Sequence, residues 1–125
     1  MGMRALLTVA VVAGLAGPAL AGMNTGQMDL LQGPYTLTAD DGGQCALTLG
    51  DEPVNGGRHL DGGPDCRRLD VLFENAAGWR IDTPTELVIV NGSGKPLLKM
   101  RFVSADETFR TSEDRDPALI LAPAQ

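Results

Sequence analysis

The only histidine is the first residue to consider for chemistry, because an imidazole can act as a general base near neutral pH. His59 lies in a glycine-rich stretch. A catalytic role would require a nucleophile and an orienting acid, and none of the serines or threonines has a recognisable setting of that kind. The sequence therefore predicts that the protein is not an enzyme and has no catalytic residues.

The two cysteines, Cys45 and Cys66, could form a disulfide, remain free thiols or supply half of a metal site. A structural zinc site needs four ligands, and two cysteines with one histidine do not provide them. The acidic pair Asp40-Asp41 and the acidic stretch 113–116 lack the ligand spacing of a calcium loop. We predict no metal or cofactor and, in an oxidising compartment, a disulfide.

The first 21 residues have the pattern of a secretory signal peptide. Arg4 precedes an apolar run of about a dozen residues, and Ala19-Leu20-Ala21 resembles a cleavage site. The run is too short and too often interrupted for a transmembrane anchor. Cleavage after Ala21 would place Gly22 at the new N-terminus, where no cysteine is available for lipid attachment. We predict an exported, periplasmic or secreted protein that does not insert into the membrane once the signal is removed.

The charge balance excludes several classes of partner. The chain has 16 acidic and 10 basic residues, a formal net charge of −6, and no basic run. Such a surface argues against binding to nucleic acid and against binding to anionic lipid. We expect a monomer.

Short alternating segments separated by turn residues dominate the rest of the chain. Eight strands are predicted, at residues 34–39, 44–49, 58–60, 79–82, 86–90, 96–103, 108–111 and 118–121. Residues 67–77 are the most helix-compatible stretch, with one or two turns ending at Gly78, and residues 28–31 could form a single helical turn. A meander of hairpins leaves two exposed edges unless it closes. We therefore predict an all-β fold: a small eight-stranded antiparallel up-and-down barrel.

The inward positions of these strands are aliphatic or aromatic. Tyr35, Leu47, Trp79 and Phe102 are representative core residues. A ligand cavity would require a few convergent polar groups among them. The pattern favours a filled core, and a small-ligand-binding barrel remains the alternative.

Several features in a fixed order carry a family resemblance. They are Gly33-x-Tyr35-x-Leu37, Cys45-x-Leu47-x-Leu49, Cys66, the Gly78-Trp79-Arg80 step, the strand 87–91 with its glycine turn, and the strand 98–102. Over residues 30–121 the chain resembles the bacterial alkaline proteinase inhibitors, a family that also has an outer-membrane lipoprotein branch.

The resemblance implies an eight-stranded barrel with one disulfide that inhibits zinc metalloendopeptidases of the serralysin type in the periplasm. Together with the signal pattern, it divides the chain into a signal peptide (1–21), an N-terminal segment (22–32) and a barrel domain (33–125). In this family the N-terminal segment enters the protease cleft, and its free amine meets the catalytic zinc. The protease-binding residues implied here are Gly22, Met23, Asn24, Thr25 and Gly26.

Two positions depart from the family pattern. Tyr35 stands where the family usually carries tryptophan, and the segment begins Gly22-Met23-Asn24-Thr25 where the best-known inhibitors begin with small hydroxyl residues. The sequence thus also leaves open an envelope interaction protein that kept the barrel and lost inhibition.

Overall fold

A computed structural model describes residues 25–124 of the chain. The predicted signal peptide and Gly22, Met23 and Asn24 lie outside the described residues. Within the described range no helix is long and apolar enough to cross a bilayer.

Eight strands form a closed antiparallel barrel in which each strand pairs with the next and β8 pairs with β1. In the described part of the chain a short α-helix, α1 (Thr25–Leu31), precedes them. The strands are β1 (Gly33–Ala39), β2 (Gln44–Val54), β3 (Gly57–Asp61), β4 (Ala76–Thr83), β5 (Glu86–Asn91), β6 (Pro96–Val103), β7 (Thr108–Arg110) and β8 (Leu119–Pro123). This closed barrel confirms the predicted fold class. Closure leaves no unpaired edge, since the first and last strands of the meander pair with each other.

Alternation along the strands fills the barrel interior with apolar side chains. Tyr35, Leu37 and Ala39 of β1 are buried, whereas the threonines between them are only half-buried. Leu47 and Trp79 also lie in the core. Phe102 is half-buried, and its ring centroid lies 5.2 Å from that of Phe109 on the neighbouring strand.

Few polar side chains share this interior. Among the described residues the buried polar ones are Thr108 and Thr111. The Trp79 indole donates a hydrogen bond from Nε1 to the Gly50 carbonyl, at 3.0 Å. The core is therefore packed by aliphatic and aromatic groups, and it lacks the convergent polar groups that orient a small ligand.

Apolar side chains are also buried on the outer surface of the barrel. Val88 and Val90 of β5 are fully buried although they alternate with the inward residues Leu87 and Ile89. A Cβ atom built on Gly78 would lie 2.9 Å from Cγ2 of both Val54 and Val90. A side chain at position 78 would therefore separate the end of β2 from β5.

The tip of the β2–β3 hairpin contacts the β5–β6 turn. Asn55 donates to the Gly92 carbonyl at 3.2 Å, and Arg80 donates to the Gly56 carbonyl at 3.2 Å. Gly56 has a φ of 78°, and a Cβ there would lie 2.7 Å from the Cα of Gly94. Both the left-handed conformation and the close approach require glycine at position 56.

One disulfide joins Cys45 on β2 to Cys66, as predicted. Cys66 ends a 3-10 helix, Pro64–Cys66, in the long β3–β4 connection. The sequence separation is 21 residues, and closing a loop of that length removes unfolded-state entropy worth roughly 3 kcal/mol. The bond ties this connection, which also buries Phe73 in the core, to β2.

The helical prediction for residues 67–77 is wrong in its bounds. The structure has 3-10 helices at Pro64–Cys66 and Val71–Asn75, and β4 already begins at Ala76. Asp70 separates the two helices in an extended conformation, and its side chain accepts a hydrogen bond from the Leu72 amide. This cap starts a new turn and prevents one continuous helix.

Candidate functional site

The helix α1 lies directly before the first strand and packs against the barrel. It has seven residues, which is too short for a helix to be stable in water without tertiary contacts. Met28 supplies the main contact, because its side chain is fully buried in the core cluster. The sequence allowed a single turn at residues 28–31, whereas the helix begins at Thr25.

Three polar contacts fix α1 around this buried methionine. Arg58 on β3 forms an ion pair with Asp29, with 2.7 Å between Nη1 and Oδ1. The Gln27 side chain donates to the carbonyl of Pro84 in the β4–β5 turn, at 2.6 Å. These contacts join the helix to two separate parts of the barrel wall.

The third contact involves the tyrosine of the first strand. Tyr35 Oη donates to the carbonyl of Leu31, the last residue of α1, at 2.7 Å. Burial raises the pKa of the Tyr35 phenol above its ordinary value near 10. The phenol therefore stays protonated and remains a donor throughout the physiological pH range.

Leu30 lies on the face of α1 that points away from the barrel. Two residues advance an α-helix by about 200°, so Leu30 is nearly opposite the buried Met28. Its side chain is 85% exposed, and Val71 is the other strongly exposed large apolar residue of the described chain, at 71%. The barrel thus presents an apolar side chain immediately beside its N-terminal segment.

The implied protease-binding residues divide between described and undescribed parts of the chain. Gly22, Met23 and Asn24 precede the described range, whereas Thr25 and Gly26 form the start of α1. Met28, Asp29 and Arg58 were missed as site residues by the sequence reasoning. No local signal pointed to them, because the helix begins at Thr25, earlier than predicted, and its contacts are with separate elements.

A match to a family model shows which class of protein the chain belongs to. Residues 26–122 match the family described as Protease inhibitor Inh. The chain belongs to this family. The resemblance seen in the sequence is thereby confirmed, and the Inh-family barrel is a protease inhibitor rather than an enzyme.

A solved structure supports the same fold. The Inh-family barrel is similar to the crystal structure of a psychrophilic marine protease MP inhibitor, with a TM-score of 0.57 and 15% identity. The match covers 78% of this chain and 98% of the other. At this identity the similarity shows the fold alone. No curated protein sequence matches the chain.

His59 and an open groove are two further candidate sites in the described part of the Inh-family barrel. In residues 25–124 no three His, Cys, Asp or Glu side chains are grouped to hold a metal, and His59 is exposed on β3. An open groove of about 800 Å³ runs beside β6 and β7, and its wall mixes Lys99, Arg101 and Arg110 with Glu86 and Glu113. This mixed charge does not select a class of ligand.

Proposed function

We propose that the chain is a periplasmic inhibitor of zinc metalloendopeptidases of the serralysin type. Residues 22–26 would occupy the protease cleft, with the Gly22 amine at the catalytic zinc. Family membership supports protease inhibition. The observation that carries the finer proposal is the docking of α1, which gives the segment before it a fixed starting point on the barrel.

The length of the segment sets how closely the two proteins must approach. Three residues precede α1 after cleavage at Ala21, and an extended chain spans at most about 3.3–3.6 Å per residue. These three residues reach about 10 Å. If Thr25 and Gly26 unwind from α1, five residues reach about 17 Å. Either reach requires α1 itself to sit at the mouth of the cleft.

Docking of α1 also lowers the entropic cost of binding the protease. Fixing one residue's backbone costs roughly 1–2 kcal/mol, and a seven-residue helix already ordered on the barrel spares that cost for its own residues. Preorganised segments bind more tightly for this reason. The barrel contributes by packing around Met28 and by presenting Arg58 to the helix.

The proposed chemistry uses the amine as a zinc ligand. An α-amine has a pKa of about 7.7–8.0, so a neutral fraction exists near pH 7. Zinc binds the unprotonated nitrogen, and the amine would replace the zinc-bound water that hydrolysis requires. Gly22 has no side chain and allows the backbone to approach the metal closely.

The proposed mechanism requires an exported protein in an oxidising compartment. The free Gly22 amine exists only after the signal peptide is removed, and the Cys45–Cys66 disulfide is typical of oxidising compartments. A periplasmic location meets both conditions.

N-terminal sequencing of the exported protein, followed by titration against a serralysin-type endopeptidase, tests the proposal. We expect the sequence to begin at Gly22 and inhibition to be stoichiometric. A chain lacking residues 22–24 should fold with an unchanged melting temperature and fail to inhibit. A trypsin-like serine protease is the control, and it should be unaffected.

Retained potency after the deletion would refute the cleft-insertion mechanism. No inhibition of any zinc endopeptidase by the intact chain would instead favour the envelope interaction protein. Low-molecular-weight material that co-purifies with the folded barrel would favour the ligand-binding alternative.

A further inference from the structure

The ion pair between α1 and β3 is unusual for both of its partners. Asp29 is the fifth of the seven residues of α1, so its negative charge lies toward the negative end of the helix dipole. The helix has no basic residue in its last turn to offset this. Helix formation alone therefore disfavours a carboxylate at position 29.

Arg58 is equally dependent on this contact. Its side chain is 17% exposed, and its buried Nη1 makes no hydrogen bond within residues 25–124. The Asp29 carboxylate at 2.7 Å is the group that neutralises it, and Asp29 itself is 59% exposed. A mostly buried guanidinium without a counter-charge is costly, so Arg58 holds Asp29 close to the wall of β3.

The Asp29–Arg58 ion pair lies on a different side of α1 from the buried Met28. Asp29 is rotated about 100° from Met28 around the helix axis. Methionine is unbranched and flexible, so a helix held at Met28 alone can turn about that point. The Asp29–Arg58 pair attaches another side of the helix to β3 and, together with the hydrogen bonds at Gln27 and Leu31, fixes its rotation and the direction of its N-terminal end.

We infer that Asp29 and Arg58 are positioning residues that aim the N-terminal segment at the protease cleft. This inference rests on the proposed function, because it assigns a role within the same inhibitory segment. Neither residue touches the zinc. They act through α1, which carries residues 22–24 at its N-terminal end.

The test compares two carboxylate-to-amide substitutions in the exported chain. Asp29→Asn removes the charge that pairs with Arg58. Glu74→Gln is the matched control, because Glu74 pairs with Arg67 at 3.5 Å, both side chains are more than half exposed, and neither belongs to α1. Each variant changes the net charge by one unit.

We expect Asp29→Asn to raise the inhibition constant about five- to fiftyfold, an effect between those of exposed and buried ion pairs. Its melting temperature should stay within a few degrees of the parent, whereas amide hydrogen exchange in residues 27–31 should accelerate at least tenfold. Glu74→Gln should change none of the three. Asp29→Glu, which restores the charge, should recover part of the lost potency.

The results separate the positioning role of Asp29 and Arg58 from the proposed inhibitory function. If the parent inhibits and Asp29→Asn inhibits within twofold of it, the positioning role is overturned while the proposed function stands. Equal losses in Asp29→Asn and Glu74→Gln would also overturn it, because the effect would then be one of net charge. A parent that does not inhibit overturns the proposed function and the inference together. Whether or not the parent inhibits, unchanged amide exchange in Asp29→Asn would show that the ion pair does not hold α1 on the barrel.

Discussion

Replacing Met28 by alanine removes the main apolar contact between α1 and the barrel. Met28 is fully buried, and truncation of a buried large aliphatic side chain costs about 2–5 kcal/mol. The helix can detach instead of leaving a cavity, which limits the loss to the docking free energy of α1. We therefore expect the free energy of unfolding to fall by about 2–3 kcal/mol, at the lower end of that range.

Urea unfolding followed by tryptophan fluorescence measures this loss. Trp79 is the only tryptophan and is fully buried, so its emission reports unfolding of the barrel. For a domain of this size the expected loss corresponds to a fall in melting temperature of about 10–20 °C. The inhibition constant should rise in parallel, because a detached helix no longer fixes the inhibitory segment.

The control is Leu30→Ala on the same helix. Leu30 is exposed, and substitution of an exposed side chain usually changes stability by less than about 0.5 kcal/mol. If Met28→Ala were as stable as Leu30→Ala, α1 would not be docked through Met28, and the reasoning from a fixed starting point would be refuted.

Four further outcomes are expected, three from these contacts and one from the proposed amine coordination. Leu30→Ala should raise the inhibition constant about three- to tenfold, because an apolar side chain at the cleft rim would be lost, whereas substitution of the also exposed Val71 by alanine should not; equal effects would contradict a rim contact. Tyr35→Phe removes the hydrogen bond to Leu31 and should cost about 1 kcal/mol in urea unfolding at pH 7. The parent should lose stability as the pH rises past about 10, since burial raises the folded pKa of Tyr35 and only the unfolded phenol ionises at first; Tyr35→Phe should lack this loss. The inhibition constant should rise about tenfold per pH unit below about 7 as the Gly22 amine protonates, and a flat profile would argue against amine coordination.

The alternation of apolar residues was sufficient to predict most of the barrel. Tyr35, Leu37 and Ala39 point inward as their spacing indicated, and β6 begins and ends where predicted. Strand count and turn residues then favoured closure. These features are local, so a single sequence contains them.

The outer wall could not be predicted, because it depends on long-range register. Val88 and Val90 alternate with inward residues and would be expected on the surface. Val90 lies beside the end of β2, because Val54 and Val90 both approach Gly78 after a register shift in the β2–β3 pairing between Leu49 and Pro53. No local pattern shows where a hairpin will bend after such a shift.

The same limit applies to α1. Met28 and Leu30 are both apolar, and the sequence does not show which of them meets the barrel end. The ion pair of Asp29 with Arg58 joins residues on separate elements and follows only from the docked position of the helix. The local sequence can therefore indicate the segment but not the contacts that hold it.

Blocking the Gly22 amine tests the central claim most directly. The inhibition constant of the mature chain should be measured against a serralysin-type endopeptidase before and after Gly22 is acetylated, with the melting temperature as the folding control. Acetylation leaves the barrel and α1 intact but removes the basic nitrogen, so we expect inhibition to fall by at least a hundredfold, about 2.7 kcal/mol of binding free energy. An acetylated protein that inhibits as well as the free amine would contradict coordination of the protease zinc by this N-terminus.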